Sequence, residues 1–210
     1  MALFLTQKDL DASLNEAQLI LRSGARTAGF ISPRSKERAV DLLEEIVEAC
    51  DNATAAPMLR TQNVAKYELA GTLQEAGYDV EARAMYLDAI DSFSAHDDCR
   101  VEAVDAKMAY GLLLTDADEM EAAIPLLEEA YSTYSSYLGT NDACTLRAGM
   151  NLANALADEP GRKDEAHRML GTVVEGYITA FGEEHPDTLD GKLCARRLRS
   201  PFPGLLQPGK

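Results

Sequence analysis

The chain has 210 residues, of which 46% are hydrophobic, 26% charged and 6% aromatic, with no tryptophan and a net charge of −15. That composition suits one folded domain or an array of helix pairs, and its plentiful Ala, Leu and Glu favour helix over sheet. Between Val40 and Thr145, 22 Asp/Glu stand against 5 Lys/Arg, a local balance of −17 that argues against nucleic acid or an anionic membrane as partner and favours cationic ones.

The first residues, Met1-Ala2-Leu3-Phe4-Leu5-Thr6-Gln7-Lys8-Asp9, hold a short apolar stretch without a basic segment before it, so they do not read as a secretory signal. No run approaches the ~18 apolar residues of a membrane span, and a cytoplasmic location is the expectation. A weak helix is expected from about Asp9 to Ser23, and Pro33 suits the start of a second that carries Ala39, Leu43 and Ile46. Over Arg60–Gly77, Leu69, Ala70, Leu73 and Ala76 make one amphipathic stripe, and Gly77 fits a left-handed helix end. Asp79 is placed to cap the following helix, whose stripe is Ala82, Tyr86, Ala89, Ile90 and Phe93.

A further pair spans about Cys99 to Tyr137 around the turn Asp116-Ala117-Asp118. Met108, Tyr110, Gly111 and Leu114 mark its first helix, and Ala123, Leu127 and Ala130 its second. The next pair runs from about Asp142 to Ala180, marked by Leu152, Ala153 and Leu156 and then by Ala166, Leu170 and Val173. Glu159-Pro160-Gly161 makes its turn, because proline is costly inside a helix. A last helix, Pro186 to about Arg199, caps the array, and Lys192, Arg196, Arg197 and Arg199 suit its C-terminal end. Ser200–Lys210, with three prolines and two glycines, is expected to be an extended tail.

Two features make this an array and not one core. The segment Leu138-Gly139-Thr140-Asn141-Asp142-Ala143-Cys144-Thr145-Leu146 nearly returns 43 residues later as Phe181-Gly182-Glu183-Glu184-His185-Pro186-Asp187-Thr188-Leu189. Small residues also recur at Ala39, Ala82, Ala123 and Ala166, with spacings of 43, 41 and 43. At such places two helix backbones can approach closely. The expectation is about four helix pairs plus a capping helix over residues 1–199, followed by the tail at 200–210.

The pattern resembles the tetratricopeptide repeat, with Leu69-Ala70 followed by Ala82, Tyr86 and Ala89, Tyr110-Gly111 by Ala123, Leu127 and Ala130, and Leu152-Ala153 by Ala166 and Leu170. The period near 42 and the phrase Phe181–Leu189, together with Met150-Asn151-Leu152-Ala153 and Gly161-Arg162-Lys163-Asp164-Glu165-Ala166, resemble the kinesin light chain type of repeat. The resemblance implies an all-α, right-handed superhelical solenoid of antiparallel helix pairs that presents a surface to a protein partner. Tetratricopeptide proteins that bind chaperone C-terminal carboxylates place lysines where this chain has Tyr67, Met108, Met150 and Leu193, so no such tail is expected to bind.

If the first helices line the inner surface, the face opposite their packing stripe holds Val64, Tyr67, Gly71, Gln74 and Glu75, then Asp105, Met108, Leu112, Thr115 and Asp116, then Arg147, Met150, Asn151, Asn154 and Asp158. Tyr67, Met108, Leu112 and Met150 would form an apolar floor, Glu75, Asp105, Asp116 and Asp158 an acidic rim, and Asn151 and Asn154 a pair able to hold an extended backbone. These residues suggest a groove for a peptide or partner helix of basic and apolar character. The competing reading of Met108 and Met150 is plain core packing. Pro201-Phe202-Pro203-Gly204-Leu205-Leu206 is a segment such a groove would accept.

Enzymatic signals are weak. The chain holds no Gly-rich phosphate loop, nucleophile elbow or histidine pair at metal spacing, and the acid pairs Asp97-Asp98 and Glu183-Glu184 read as turn and cap residues. Cys50, Cys99, Cys144 and Cys194, spaced by 49, 45 and 50, suit neither a zinc site nor close pairing, so no metal and no cofactor is expected. Two alternatives stay open: an adaptor that self-associates through exposed apolar ends, forming a homo-oligomer, and a hydrolase or transferase using an unrecognised carboxylate site.

Overall fold

A computed structural model of the chain describes residues 6–26, 32–50, 56–96 and 99–199. Among these the backbone forms nine α-helices and no strand: α1 (Gln7–Arg26), α2 (Pro33–Ala49), α3 (Ala56–Glu75), α4 (Asp79–Ser94), α5 (Arg100–Asp116), α6 (Met120–Leu138), α7 (Ala143–Asp158), α8 (Lys163–Phe181) and α9 (Pro186–Arg199). The chain divides into two compact units, residues 1–106 and 107–210, and the boundary falls inside α5.

In the first unit, α2 begins on Pro33, whose fixed φ suits a first helical position. Ser32 caps it, its hydroxyl accepting the Ser35 N–H at 3.1 Å. The apolar stripes of three helices meet in one cluster: Leu10 and Ala17 from α1, Ala39, Leu43 and Ile46 from α2, and Ala65 and Leu69 from α3. Thus the weak first helix is longer than the sequence suggests, because tertiary burial of Leu10 and Ala17 supplies what local propensity does not. Between α3 and α4, Gly77 stands at φ +83, with the Tyr78 N–H donating to Leu73 O and the Gly77 N–H to Gln74 O, both at 3.0 Å. This is the paired bonding of a Schellman helix end. The expected cap at Asp79 is corrected: Tyr78 occupies the cap position without a side-chain bond, and Asp79 is already the first helical residue. There its carboxylate favours the positive helix end by charge alone.

The second unit repeats this chemistry. Between α5 and α6 the Glu119 N–H donates to Leu114 O at 2.9 Å and the Asp118 N–H to Thr115 O at 3.0 Å. The left-handed position, glycine in the α3–α4 turn, is here Asp118 at φ 62. Gly139 and Gly182, which open the two recurring segments, sit at φ 92, ψ 161 and φ 89, ψ 169. That region is essentially restricted to glycine. Asp142 then caps α7 by accepting the Cys144 N–H at 2.8 Å, and His185 Nδ1 takes the same place before α9, accepting the Asp187 N–H at 3.3 Å. Helices α7 and α8 close on Leu146, Val173 and Tyr177. Their approach is tight: a Cβ on Gly149 would lie 2.8 Å from Val173 Cγ2 and 3.0 Å from Tyr131 Cε2.

Ala39, Ala82, Ala123 and Ala166 are all 0% exposed, one in each second helix of the four pairs. Residues 200–210, the expected tail, lie outside the described residues.

Candidate interaction surface

Helix α7 carries the clearest open face. From Thr145 to Asp158 it buries every residue except Arg147, Met150, Asn151, Asn154 and Asp158. These five follow the spacing of three and four that puts side chains on one flank of a helix. Arg147, Asn154 and Asp158 are exposed, and Met150 and Asn151 are half-buried. Met150 leans on the cluster of Leu146, Val173 and Tyr177, so its thioether both packs and shows a side.

On α5, Asp105 and Leu112 are half-buried and Asp116 is exposed, while Met108 is only 7% exposed. Met108 therefore sits in packing and offers little surface. On α3, Tyr67, Gly71 and Gln74 are half-buried against α4. Tyr67 meets Tyr86 edge to face with ring centroids 6.1 Å apart, and the Tyr86 hydroxyl donates to Gln74 Oε1 at 3.2 Å. Burial, then the nearby Tyr67 and Glu68, pushes the Tyr86 hydroxyl well above the ordinary phenol range. Gly71 belongs to the same contact, since a Cβ there would lie 3.5 Å from the Tyr86 hydroxyl. Glu75 is exposed but paired, its carboxylate 3.0 Å from Lys36 Nζ on α2. The residues expected on the first helices thus fall into two sets, Tyr67 to Asp105 in the first unit and Met108 to Asp158 in the second.

The sequence reading did not include the acids around Asp158. Asp118, Glu119, Glu121 and Glu159 join it around an open depression of about 650 Å³ between the α5–α6 and α7–α8 turns. Their separation in sequence is about one repeat, so alignment of the two turns was the available signal. Near this depression Arg162 forks onto Glu165, both bonds at 2.8 Å, and reaches Glu128 at 3.0 Å. The fork holds the Glu165 carboxyl below its ordinary range and commits Nε and Nη2 of that guanidinium within the fold.

Paired helices at a 41–43-residue period, each pair burying an alanine at the same place, define an all-α helical-repeat solenoid. Residues 145–187 match the tetratricopeptide repeat family. The fold is similar to that of nearly identical TPR-like repeats from Podosopora anserina, crystallised from a protein described as a kinesin light chain. The TM-score is 0.71 at 18% identity, over 92% of this chain and 86% of that one. A variant of the same protein gives TM-score 0.71 at 18% identity, over 91% and 85%. At this identity the likeness carries the fold alone. A comparison with curated proteins gives no match. No helix among the described residues is long and apolar enough to cross a membrane.

Proposed function

We propose that this chain is a non-enzymatic protein-interaction scaffold whose second unit binds a peptide or partner helix of basic and apolar character along α7. The observation that carries the proposal is the α7 stripe. A helix buried on nearly all sides leaves open five residues that combine apolar contact (Met150), backbone-matching amides (Asn151 and Asn154) and charge (Arg147 and Asp158). The acidic depression at the Asp158 end supports the basic character, since a cation entering it meets five carboxylates.

The test is a displayed random-peptide library panned on the folded protein. The expected winners carry Lys or Arg beside aliphatic residues, and lose binding to an Asn151→Ala/Asn154→Ala variant that keeps its helical circular dichroism. Winners rich in acids, or winners indifferent to the double substitution, would overturn the assignment. A second reading, self-association, is favoured by Leu189 and Leu193 on α9, which are 47% and 38% exposed at a spacing of four. Sedimentation over a hundredfold concentration range checks it; a constant monomer mass removes it.

A further inference from the structure

Helix α9 differs in charge from the rest of the chain. It holds two Asp against four Lys or Arg, whereas the chain as a whole carries −15. Two copies of so acidic a protein repel each other, and α9 is where they can meet against the least repulsion. One side of the helix packs on α8 through Gly191, where a Cβ would lie 3.1 Å from Val174 Cγ2. The other side is open: Leu189 and Leu193 are 47% and 38% exposed, and Asp190, Arg196 and Arg197 around them are exposed as well. The ion pairs at this helix use Asp187 and Lys192, and Asp190, Arg196 and Arg197 make none among the described residues.

A further helix of the repeat kind does not fit this face. Ala70, Gly111 and Ala153 hold one place in the earlier first helices at spacings of 41 and 42, and Arg196 stands 43 residues after Ala153. The second helix of the pair fills the space at that place, since a Cβ on Gly111 would already lie 3.0 Å from Leu127 Cδ2 on α6. Arginine at position 196 keeps a helix from approaching α9 in the same way. An occupant of the open side therefore sits over Leu193 and supplies an acid for Arg196.

The helix itself meets both conditions. Asp190 and Arg196 stand three residues before and after Leu193, about 60° to either side of it and about 4.5 Å along the axis. A twofold axis through Leu193 generates an antiparallel mate and brings Asp190 of each copy against Arg196 of the other. Leu189 and Arg197, four residues before and after, are exchanged in the same way, so the Arg197 stem covers Leu189 of the other copy. We infer that α9 is a homodimer surface, on which two antiparallel copies cross at Leu193 with an Asp190–Arg196 pair on each side. This rests on the self-association reading above and gives it a geometry. Two 14-residue helices bury less than the ~1,200 Å² of a stable complex, so the dimer is weak and reversible.

Sedimentation of the full-length protein from about 10 μM to 1 mM reads the mass, and circular dichroism checks that each variant keeps its helices. The parent is expected to move toward twice its monomer mass at the top of the range. Asp190→Arg and Arg196→Asp change exposed residues and leave the core intact. Each sets like charges opposite one another at both contacts, and each should raise the dissociation constant roughly tenfold or more. Mixed in equal amounts, the two variants present opposite charges at both contacts and should associate with each other as tightly as the parent does with itself. A parent that stays monomeric throughout overturns the inference and the self-association reading together. A parent that dimerises while both variants still self-associate, or while their mixture does not recover, overturns the α9 geometry and leaves that reading standing. Peptide capture at α7 uses none of these residues and is unaffected by either result.

Discussion

Thr145 and Thr188 stand 43 residues apart at the same point of the recurring segment, both are 0% exposed, and they differ in one bond. Thr188 Oγ1 donates to Gly182 O at 2.8 Å, whereas Thr145 Oγ1 is buried without a partner. Valine has nearly the same shape without the hydroxyl. Thr188→Val therefore loses a made hydrogen bond and should destabilise by about 1 kcal/mol, while Thr145→Val removes an unpaid desolvation and should stabilise by about 1 kcal/mol. In a chain of this length each change corresponds to a shift in Tm of about 2–4 °C, downward for the first and upward for the second. Urea unfolding of the two single variants beside the parent measures the sign directly, with an unchanged m-value as the control that the unfolded state is not altered. Destabilisation by both substitutions would refute the reasoning. It would mean that the Thr145 hydroxyl has a partner in solution, a buried water or the equivalent Gly139 carbonyl.

Asp118→Gly should stabilise by about 0.5–1 kcal/mol, because Asp118 at φ 62 occupies a left-handed position that glycine adopts freely; thermal unfolding measures it. Gly182→Ala should destabilise by about 1–3 kcal/mol although nothing lies within 4 Å of the added Cβ, since the cost is in the backbone at φ 89 and ψ 169. Stability should also fall on the alkaline side. The Tyr177 hydroxyl is pushed up to about 12, first by burial and then by Asp187, from an unfolded value of 10.0. Its contribution is intact below pH 10 and is lost as pH rises from about 10 to about 12, because the unfolded chain releases the proton first. Denaturant unfolding at pH 8, 10 and 11 should show that fall, and Tyr177→Phe should flatten it.

The fold was legible where the sequence carries backbone chemistry. Pro33, Gly77, Pro160-Gly161 and Pro186 mark helix ends that the structure reproduces within a residue or two, and the alanine register at 39, 82, 123 and 166 marks where helices touch. It was less legible where tertiary contact decides. Helix α1 reaches Gln7 because Leu10 enters a cluster built largely by α2 and α3, a fact no local window contains. Pro125 lies inside α6 and not between helices, near enough to the N-terminal end for the surrounding packing to carry one missing hydrogen bond. Asp79 misled for a related reason. Both a cap and a first-turn acid favour aspartate, and only the backbone angles at Tyr78 separate them.

The interaction surface shows the same division at finer scale. On α7 the exposed flank follows from helical spacing alone, because neighbours α6, α8 and α9 pack against the remainder and leave Arg147, Met150, Asn151, Asn154 and Asp158 uncovered. On α3 identical spacing arithmetic selects Tyr67, Gly71 and Gln74, and Tyr86 from α4, itself 3% exposed, meets all three, so part of that flank is spent on packing. Periodicity names the flank of a helix; contacts from the neighbouring helix decide how much of it stays open. A cavity of the first unit, lined by Gln7, Thr61 and Asn63, lies beyond periodicity altogether, since Gln7 and Thr61, 54 residues apart, meet only once α1 has docked against α3.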